Sequence, residues 1–251
     1  MSPVALLLVA AVMQSDTVRL EVGAKQVDGR VYKPHAAKVK VYTPEGRVRS
    51  EWTNVLTVRD SAGKQLHFWL TTGTQIAPSG ETSTWELRQV YDAITLQPYS
   101  IVRTASNGLI SNLRIEGLRV HGFRRLNATA PEEKIDYTID RMGFVASASD
   151  LVPAAVGFKP GLVISVPIWG PPMQQAEQRT FTVIGKVDKD IEGKMVNAWK
   201  VEEHRVSDRK LLATWYLLDK SPYMVYGEVP LPDGGIQRMS EVEVPIPKNP
   251  W

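Results

Sequence analysis

The stretch Leu212-Ala213-Thr214-Trp215-Tyr216-Leu217-Leu218-Asp219-Lys220-Ser221-Pro222-Tyr223-Met224-Val225-Tyr226 decides the fold. In an extended chain Ala213, Trp215 and Leu217 share one face and Thr214, Tyr216 and Leu218 the other. Large side chains on both faces suit a strand covered on both sides. Asp219-Lys220-Ser221-Pro222 then supplies turn chemistry, because Pro222 fixes its own φ and Asp219 can bond the backbone two residues on. A second aromatic and β-branched run follows at once, so the stretch predicts a buried antiparallel hairpin. With Trp199-Lys200-Val201-Glu202 before it and Pro232-Asp233-Gly234-Gly235 after it, the region 199–235 reads as three strands in series. The signal is architectural and brings no catalytic residue with it.

Outward from this hairpin the period of two persists. Val18, Leu20 and Val22 alternate with Thr17, Arg19 and Glu21, and Val39 and Val41 repeat the pattern. Residues 54–59 and 64–70 flank Asp60-Ser61-Ala62-Gly63, a hairpin loop in which Gly63 supplies the positive φ. Asn107-Gly108, between 101–104 and 109–115, is the strongest short-range hairpin signal in the chain. Ile135, Tyr137 and Ile139 alternate with Asp136, Thr138 and Asp140. Residues 147–158 are the one place for a short helix, with Ser149 or Asp150 as its cap and Pro153 limiting it to a turn or two. Turn signals recur roughly every 8 to 12 residues, the spacing of an all-β sandwich or barrel and not of βαβ units.

Composition is that of an ordinary globular chain: 251 residues, 43% hydrophobic and 23% charged. The net charge of +3 comes from interspersed Lys and Arg. The densest basic spot, Arg119, Arg124 and Arg125, is followed by Glu132 and Glu133, so no nucleic-acid partner is expected. The chain has no cysteine, which removes disulfides, thiol nucleophiles, Cys-based metal sites and a lipid-modified cysteine together. Residues 4–13 form an unbroken apolar run of the length of a signal-peptide h-region, too short to span a bilayer. Val9-Ala10-Ala11 offers cleavage after Ala11. A basic n-region is missing, and the alternative is a first buried strand. The expected organisation is a signal peptide or apolar segment at 1–15, a single all-β domain at 16–244 and an irregular Pro-rich tail at 245–251. The expected location is periplasmic or secreted, with no transmembrane span.

No motif names a reaction. His35, His67, His121 and His204 stand in no metal-ligand spacing and read as surface or strand-edge histidines. A Ser-His-Asp site would have to assemble without a G-x-S-x-G elbow. Asp136 and Asp140 share a strand face but stand about 13 Å apart at roughly 3.3 Å per residue, too far for a paired acid and base. Asp188-Lys189-Asp190-Ile191-Glu192-Gly193 resembles the opening of an EF-hand loop, but the twelfth position is Trp199, and a polar β-turn accounts for Gly193. Trp251 suggests the aromatic end of an outer-membrane barrel, but Lys248-Asn249-Pro250 interrupts the alternation.

The aromatic supply of seven Trp and eight Tyr is the feature that leans toward ligand binding. Core packing is the ordinary role of Trp52, Trp69, Trp85, Trp169, Trp199 and Trp215 on alternating strands. Half-barrels that carry acyl chains also line a concave face this way. Trp69, Trp169, Trp199, Trp215 and Tyr223 are the candidate ligand-binding residues. No metal, cofactor or catalytic residue is implied.

Three elements in order carry a resemblance. They are Asp92-Ala93-Ile94-Thr95-Leu96-Gln97-Pro98, of the form D-x-x-T-L-x-P, then the segment 151–158, then the late strands at 199–202, 214–219 and 232–235. Across roughly residues 80 to 245 the chain resembles a bacterial exported β-rich family filed as a domain of unknown function. The resemblance implies a barrel or half-barrel in the cell envelope and brings no catalytic residues. The fold expected is therefore all-β, a strongly curved or closed antiparallel sheet with at most one short helix. The function expected is binding of an apolar or envelope-derived ligand, such as a lipid, or of an envelope partner protein. The alternatives are a hydrolase acting on envelope polymers or esters, and a structural adaptor pairing through a strand edge.

Overall fold

A computed structural model describes residues 17–61, 63–77, 79–248 and 250; the apolar run at 4–13 and Trp251 lie outside them. The described strands form one sheet of sixteen strands. The first half comprises β1 (Thr17–Arg19), β2 (His35–Tyr42), β3 (Val48–Ser61), β4 (Lys64–Ile76), β5 (Thr82–Asp92), β6 (Pro98–Ala105), β7 (Ile110–Glu116), β8 (Arg119–Arg125) and β9 (Glu133–Thr138). The second comprises β10 (Phe144–Val145), β11 (Val163–Trp169), β12 (Glu177–Ile191), β13 (Lys194–Arg205), β14 (Leu211–Leu217), β15 (Met224–Pro230) and β16 (Ile236–Val244).

Two meanders, β2 to β9 and β11 to β16, join where β16 pairs antiparallel with β2. The hairpins fall where the turn chemistry put them. Gly63 (φ +76°) closes β3 to β4, and Gly108 (φ +85°) closes β6 to β7. The β14–β15 hairpin that opened the sequence reading pairs Thr214 with Glu228 and Trp215 with Gly227. Every pairing is antiparallel except two: β1 and β10 both run parallel to β11. That departs from the wholly antiparallel expectation. The long crossovers required by parallel pairs leave no local sequence signal.

The sheet is strongly curved and open: its path of pairings runs from β1 to β9 without closing. Its far ends are drawn together by side chains and backbone instead. Asp140, just past β9, donates its backbone N–H to the Gln174 carbonyl at 3.0 Å and accepts the Ala176 N–H on Oδ1 at 2.9 Å. Ile139 and Trp169 pack in the same buried cluster. The exposed edge strand β9 carries Glu133, Lys134 and Asp136 in the open, charges of the kind that discourage a further strand from pairing.

The segment after β10 lies on the concave face. It begins with the 3₁₀ residues Ala146–Leu151 and continues into α1 (Val152–Val156), a five-residue helix with Pro153 in its first turn and no side-chain cap. Leu151, Val152, Ala154 and Ala155 bury themselves against Val39, Leu56, Ile164, Phe181, Val201 and Leu217 in the main core. The Tyr32 hydroxyl donates to the Leu151 carbonyl, anchoring the segment from the side of β2. One part of the concave face is thus filled, and the rest is left open.

Candidate functional site

Strand register shows which side chains face the open part. Val39 stands opposite Trp52, Trp52 opposite Gly73, and Gly73 opposite Trp85. One row along, Asn54, Thr71, Leu87, Arg103, Ser111 and Arg124 succeed one another across β3 to β8. On the other flank Trp215 faces Gly227, and Gly227 faces Met239.

Two glycines let the indoles settle on this floor. A Cβ at Gly73 would lie 2.6 Å from Trp52 Cβ and 2.8 Å from Trp85 Cζ2; a Cβ at Gly227 would lie 2.9 Å from Trp215 Cζ3. Glycine in a strand interior weakens the strand and marks a close approach, and here the approach is by tryptophan.

The open region has two connected compartments. The inner one, about 270 Å³, is lined by Trp52, Trp69, Trp85, Trp215, Met224 and Met239, with Asn54, Thr71 and Glu241 as polar points. Thr71 Oγ1 donates to Asn54 Oδ1 at 2.9 Å. The outer one, about 730 Å³, is lined on its floor by Leu87, Ile101, Leu113 and Ile135, and by Arg49, Arg103, Arg124 and Tyr137. Gly170-Pro171-Pro172 also lines it. Trp52, Trp85, Leu87, Gln89, Ala146 and Ser147 line both. Gln89 Nε2 donates to Ser147 Oγ at 2.8 Å, tying the crossing segment to β5 at that junction.

Of the five aromatic residues that the sequence singled out, Trp69 and Trp215 line the inner compartment and the other three stand elsewhere. Trp169 is wholly buried because β11 is covered on both faces, and its Nε1 donates to the Met173 carbonyl at 2.6 Å. Trp199 stacks on Phe158 at 5.4 Å and donates to Asp219 Oδ1 at 2.6 Å. Tyr223 is 6% exposed, packs edge-on against Tyr32 and donates its hydroxyl to the Val31 carbonyl at 3.2 Å. The sequence reading did not single out Trp52, Trp85, Arg103 and Tyr137 as site residues. Alternation marks a face without saying which face is concave.

A buried carboxylate holds Trp215 in place. Glu203, 2% exposed, accepts Trp215 Nε1 at 2.8 Å and Arg179 Nη1 at 2.7 Å. Arg179 and Arg205 both pair with Glu177, so the charges form a chain at this end of the sheet.

The histidines correct an expectation: His35 and His67 are buried, at 4% and 2% exposure. Burial pushes the His67 imidazole down to about 4, the nearby Asp92 pulling it up and His35 and Lys33 pressing it further down. His35 is likewise lowered by burial. His35 Nδ1 lies 2.8 Å from both the Lys33 carbonyl and Ser221 Oγ. A carbonyl only accepts, so Nδ1 carries the proton there and has no lone pair for the serine hydroxyl. The contact therefore pins a turn and does not assemble a nucleophile and its base.

The carboxylates considered in the sequence are also occupied. Asp136 takes Arg119 in a bidentate pair at 2.8 Å on each oxygen. Asp190 Oδ1 accepts the Gly193 N–H, Asp188 Oδ1 accepts Asn197 Nδ2, and Glu192 takes the Tyr42 and Ser240 hydroxyls. The D-x-x-T-L-x-P element is a turn: Asp92 Oδ1 accepts the Ile94 and Thr95 N–H groups at 3.0 and 2.9 Å, Asp92 Oδ2 takes the Tyr99 hydroxyl, and Leu96 sits at φ +58°. The Ile94 carbonyl then accepts the Gly29 N–H at 2.8 Å.

These features define an all-β protein with a curved, open sheet and an aromatic cleft on its concave face. No protein-family model matches the chain, and no curated protein matches it. Its structure is similar to that of a β-barrel-like protein of a domain of unknown function, DUF1849, from Brucella abortus. The identity there is 12%, covering 85% of this chain and 96% of that one, with a TM-score of 0.46. It is also similar to an exported protein with a YmcC-like fold from Bacteroides fragilis (8% identity, 86% and 96% covered, TM-score 0.37). A third is the hypothetical lipoprotein YmcC from Escherichia coli (14% identity, 90% and 92% covered, TM-score 0.32). Among the described residues no helix is long and apolar enough to cross a membrane.

Proposed function

We propose that the chain is a non-catalytic binding protein of the cell envelope whose concave cleft holds an apolar or envelope-derived ligand. The observation that carries this reading is the cleft itself. A strand floor that could have been closed by core side chains is instead surfaced with Trp52, Trp69, Trp85 and Trp215 around open space. A volume of about 730 Å³ falls in the range of small-molecule sites, about 300 to 1,000 Å³. Tryptophan is suited to such a wall, since it offers a large apolar area with little rotamer entropy to lose. The apolar run at residues 4–13 supports the envelope assignment.

Titration with N-phenyl-1-naphthylamine, an uncharged apolar probe, tests the reading. Saturable one-to-one enhancement of probe fluorescence is expected, with Trp52→Ala weakening it about tenfold through loss of part of the floor. Absence of saturable binding to the folded protein would count against it.

A further inference from the structure

The cleft is not uniformly apolar, and its charge has one sign on each side. The inner compartment carries one carboxylate, Glu241, and no cation; the outer carries Arg49, Arg103 and Arg124 and no carboxylate. Arg103 and Arg124 stand in one inward-facing row with Ser111 between them on β7. Neighbouring strands are about 4.8 Å apart, which puts the two arginine backbones about 10 Å apart with a hydroxyl midway. Arg124 is engaged by Glu133, its register partner at the end of the same row on β9, Nη2 to Oε2 at 2.6 Å. Arg103 is exposed within the cleft, and among the described residues nothing pairs with its charge.

An arginine on the inward face of a strand, next to Leu87 and Ile101 and with no carboxylate opposite, is a cation whose counterion the chain does not supply. The guanidinium fork matches the oxygens of carboxylate and phosphate. A carboxylate's two oxygens are satisfied by one bidentate arginine. Arg103, Ser111 and Arg124 together present more donors than that, and a phosphate has the oxygens to use them.

Resting on the reading of the cleft as a ligand site, we propose that its ligand is an amphiphile with one phosphate head. The phosphate is held by Arg103 and Ser111, with Arg124 beside it. The acyl chain runs over Leu87 toward Trp52 and Trp85.

Calorimetric titration of the intact chain with dodecyl phosphate, 1-dodecanol and laurate, below their aggregation concentrations, tests this. The expected result is one-to-one binding of dodecyl phosphate at least tenfold tighter than either of the others. R103Q is expected to lose that advantage while keeping the dodecanol affinity. R114Q, which removes the same charge from the outward face of β7, is expected to leave all three unchanged. Circular dichroism checks that each variant is folded. Equal affinities for the three chains, or an R103Q variant that binds dodecyl phosphate as the parent does, would overturn the phosphate head and leave the apolar cleft standing. Laurate binding as tightly as dodecyl phosphate would likewise overturn it. If no amphiphile binds, the cleft reading falls with it.

Discussion

Trp52 and Trp85, on strands that do not touch each other, meet above Gly73 on the strand between them, their rings 6.0 Å apart and tilted by 57°. The pair forms the junction of the two cleft compartments. It exists because the middle strand has no side chain there. Gly73→Ala should force one indole to move and destabilise the protein by about 1–3 kcal/mol, the usual cost of overpacking. Gly170→Ala, whose new methyl would meet only Ala146 Cβ at 3.5 Å, should lie within about 0.5 kcal/mol of the parent. Urea unfolding of the two variants checks the contrast, and equal effects would contradict it.

Glu203 is a second support of the aromatic wall. Glu203→Leu leaves Trp215 Nε1 without its acceptor and removes one of the two carboxylates on Arg179. Breaking one partner out of a buried charge network is costly, and a loss of about 3 kcal/mol is expected in denaturant unfolding. The Trp215 contribution to fluorescence should also become more heterogeneous. Trp215→Phe, which keeps the apolar ring and loses the hydrogen bond, should cost about 1–2 kcal/mol.

These supports show where the sequence was legible and where it stopped being so. The turns at Gly63 and Gly108 and the β14–β15 hairpin were readable because turn chemistry and alternation are local. The hairpin read at 54–59 and 64–70 extends in the structure to Val48–Ser61 and Lys64–Ile76. The missed ends contain Ser50, Thr71 and Gln75, inward-facing residues that line open space instead of core. Hydrophobic alternation fades where the cleft begins, so the strands looked short just where they matter. Trp169 was misplaced for the opposite reason. Its strand is buried on both faces, Ile164, Val166 and Ile168 in one core cluster and Trp169 in another with Tyr91, Ile101 and Val120, and no local pattern reports neighbours so distant in sequence.

His67 makes stability depend on acid. Its folded pKa is lowered to about 4 by burial against about 6.5 in an unfolded chain. The unfolded state therefore binds the extra proton first as pH falls. Stability from this group is fully present above about pH 6.5 and is lost as pH drops toward 4, by about 3 kcal/mol in total. His35, lowered in the same direction, steepens the loss. Chemical unfolding between pH 7.5 and 4.5 should show the decline, and His67→Gln should flatten it. An equally steep His67→Gln profile would contradict the assignment.

Asp92 holds the turn that joins β5 to β6. Burial alone would raise its carboxyl, but the Thr95 and Ile94 N–H groups and the Thr95 and Tyr99 hydroxyls outweigh that and hold it below its ordinary value. Its contribution is present above the ordinary carboxylate range and is lost as pH falls through the lowered pKa, a window below that of His67. Asp92→Ala removes the acceptor for two backbone N–H groups and should cost about 1–3 kcal/mol at pH 7. A thermal melt beside the parent checks this.

The most direct test of the central claim is native mass spectrometry of the chain purified without detergent from the envelope fraction of the cells that make it, compared with the same sample after denaturation. The account predicts a folded species heavier than the chain by one amphiphile, released on unfolding and absent when Trp52 and Trp85 are both replaced by alanine. A bare chain mass in every folded preparation, from a protein that also takes up no added amphiphile, would contradict it.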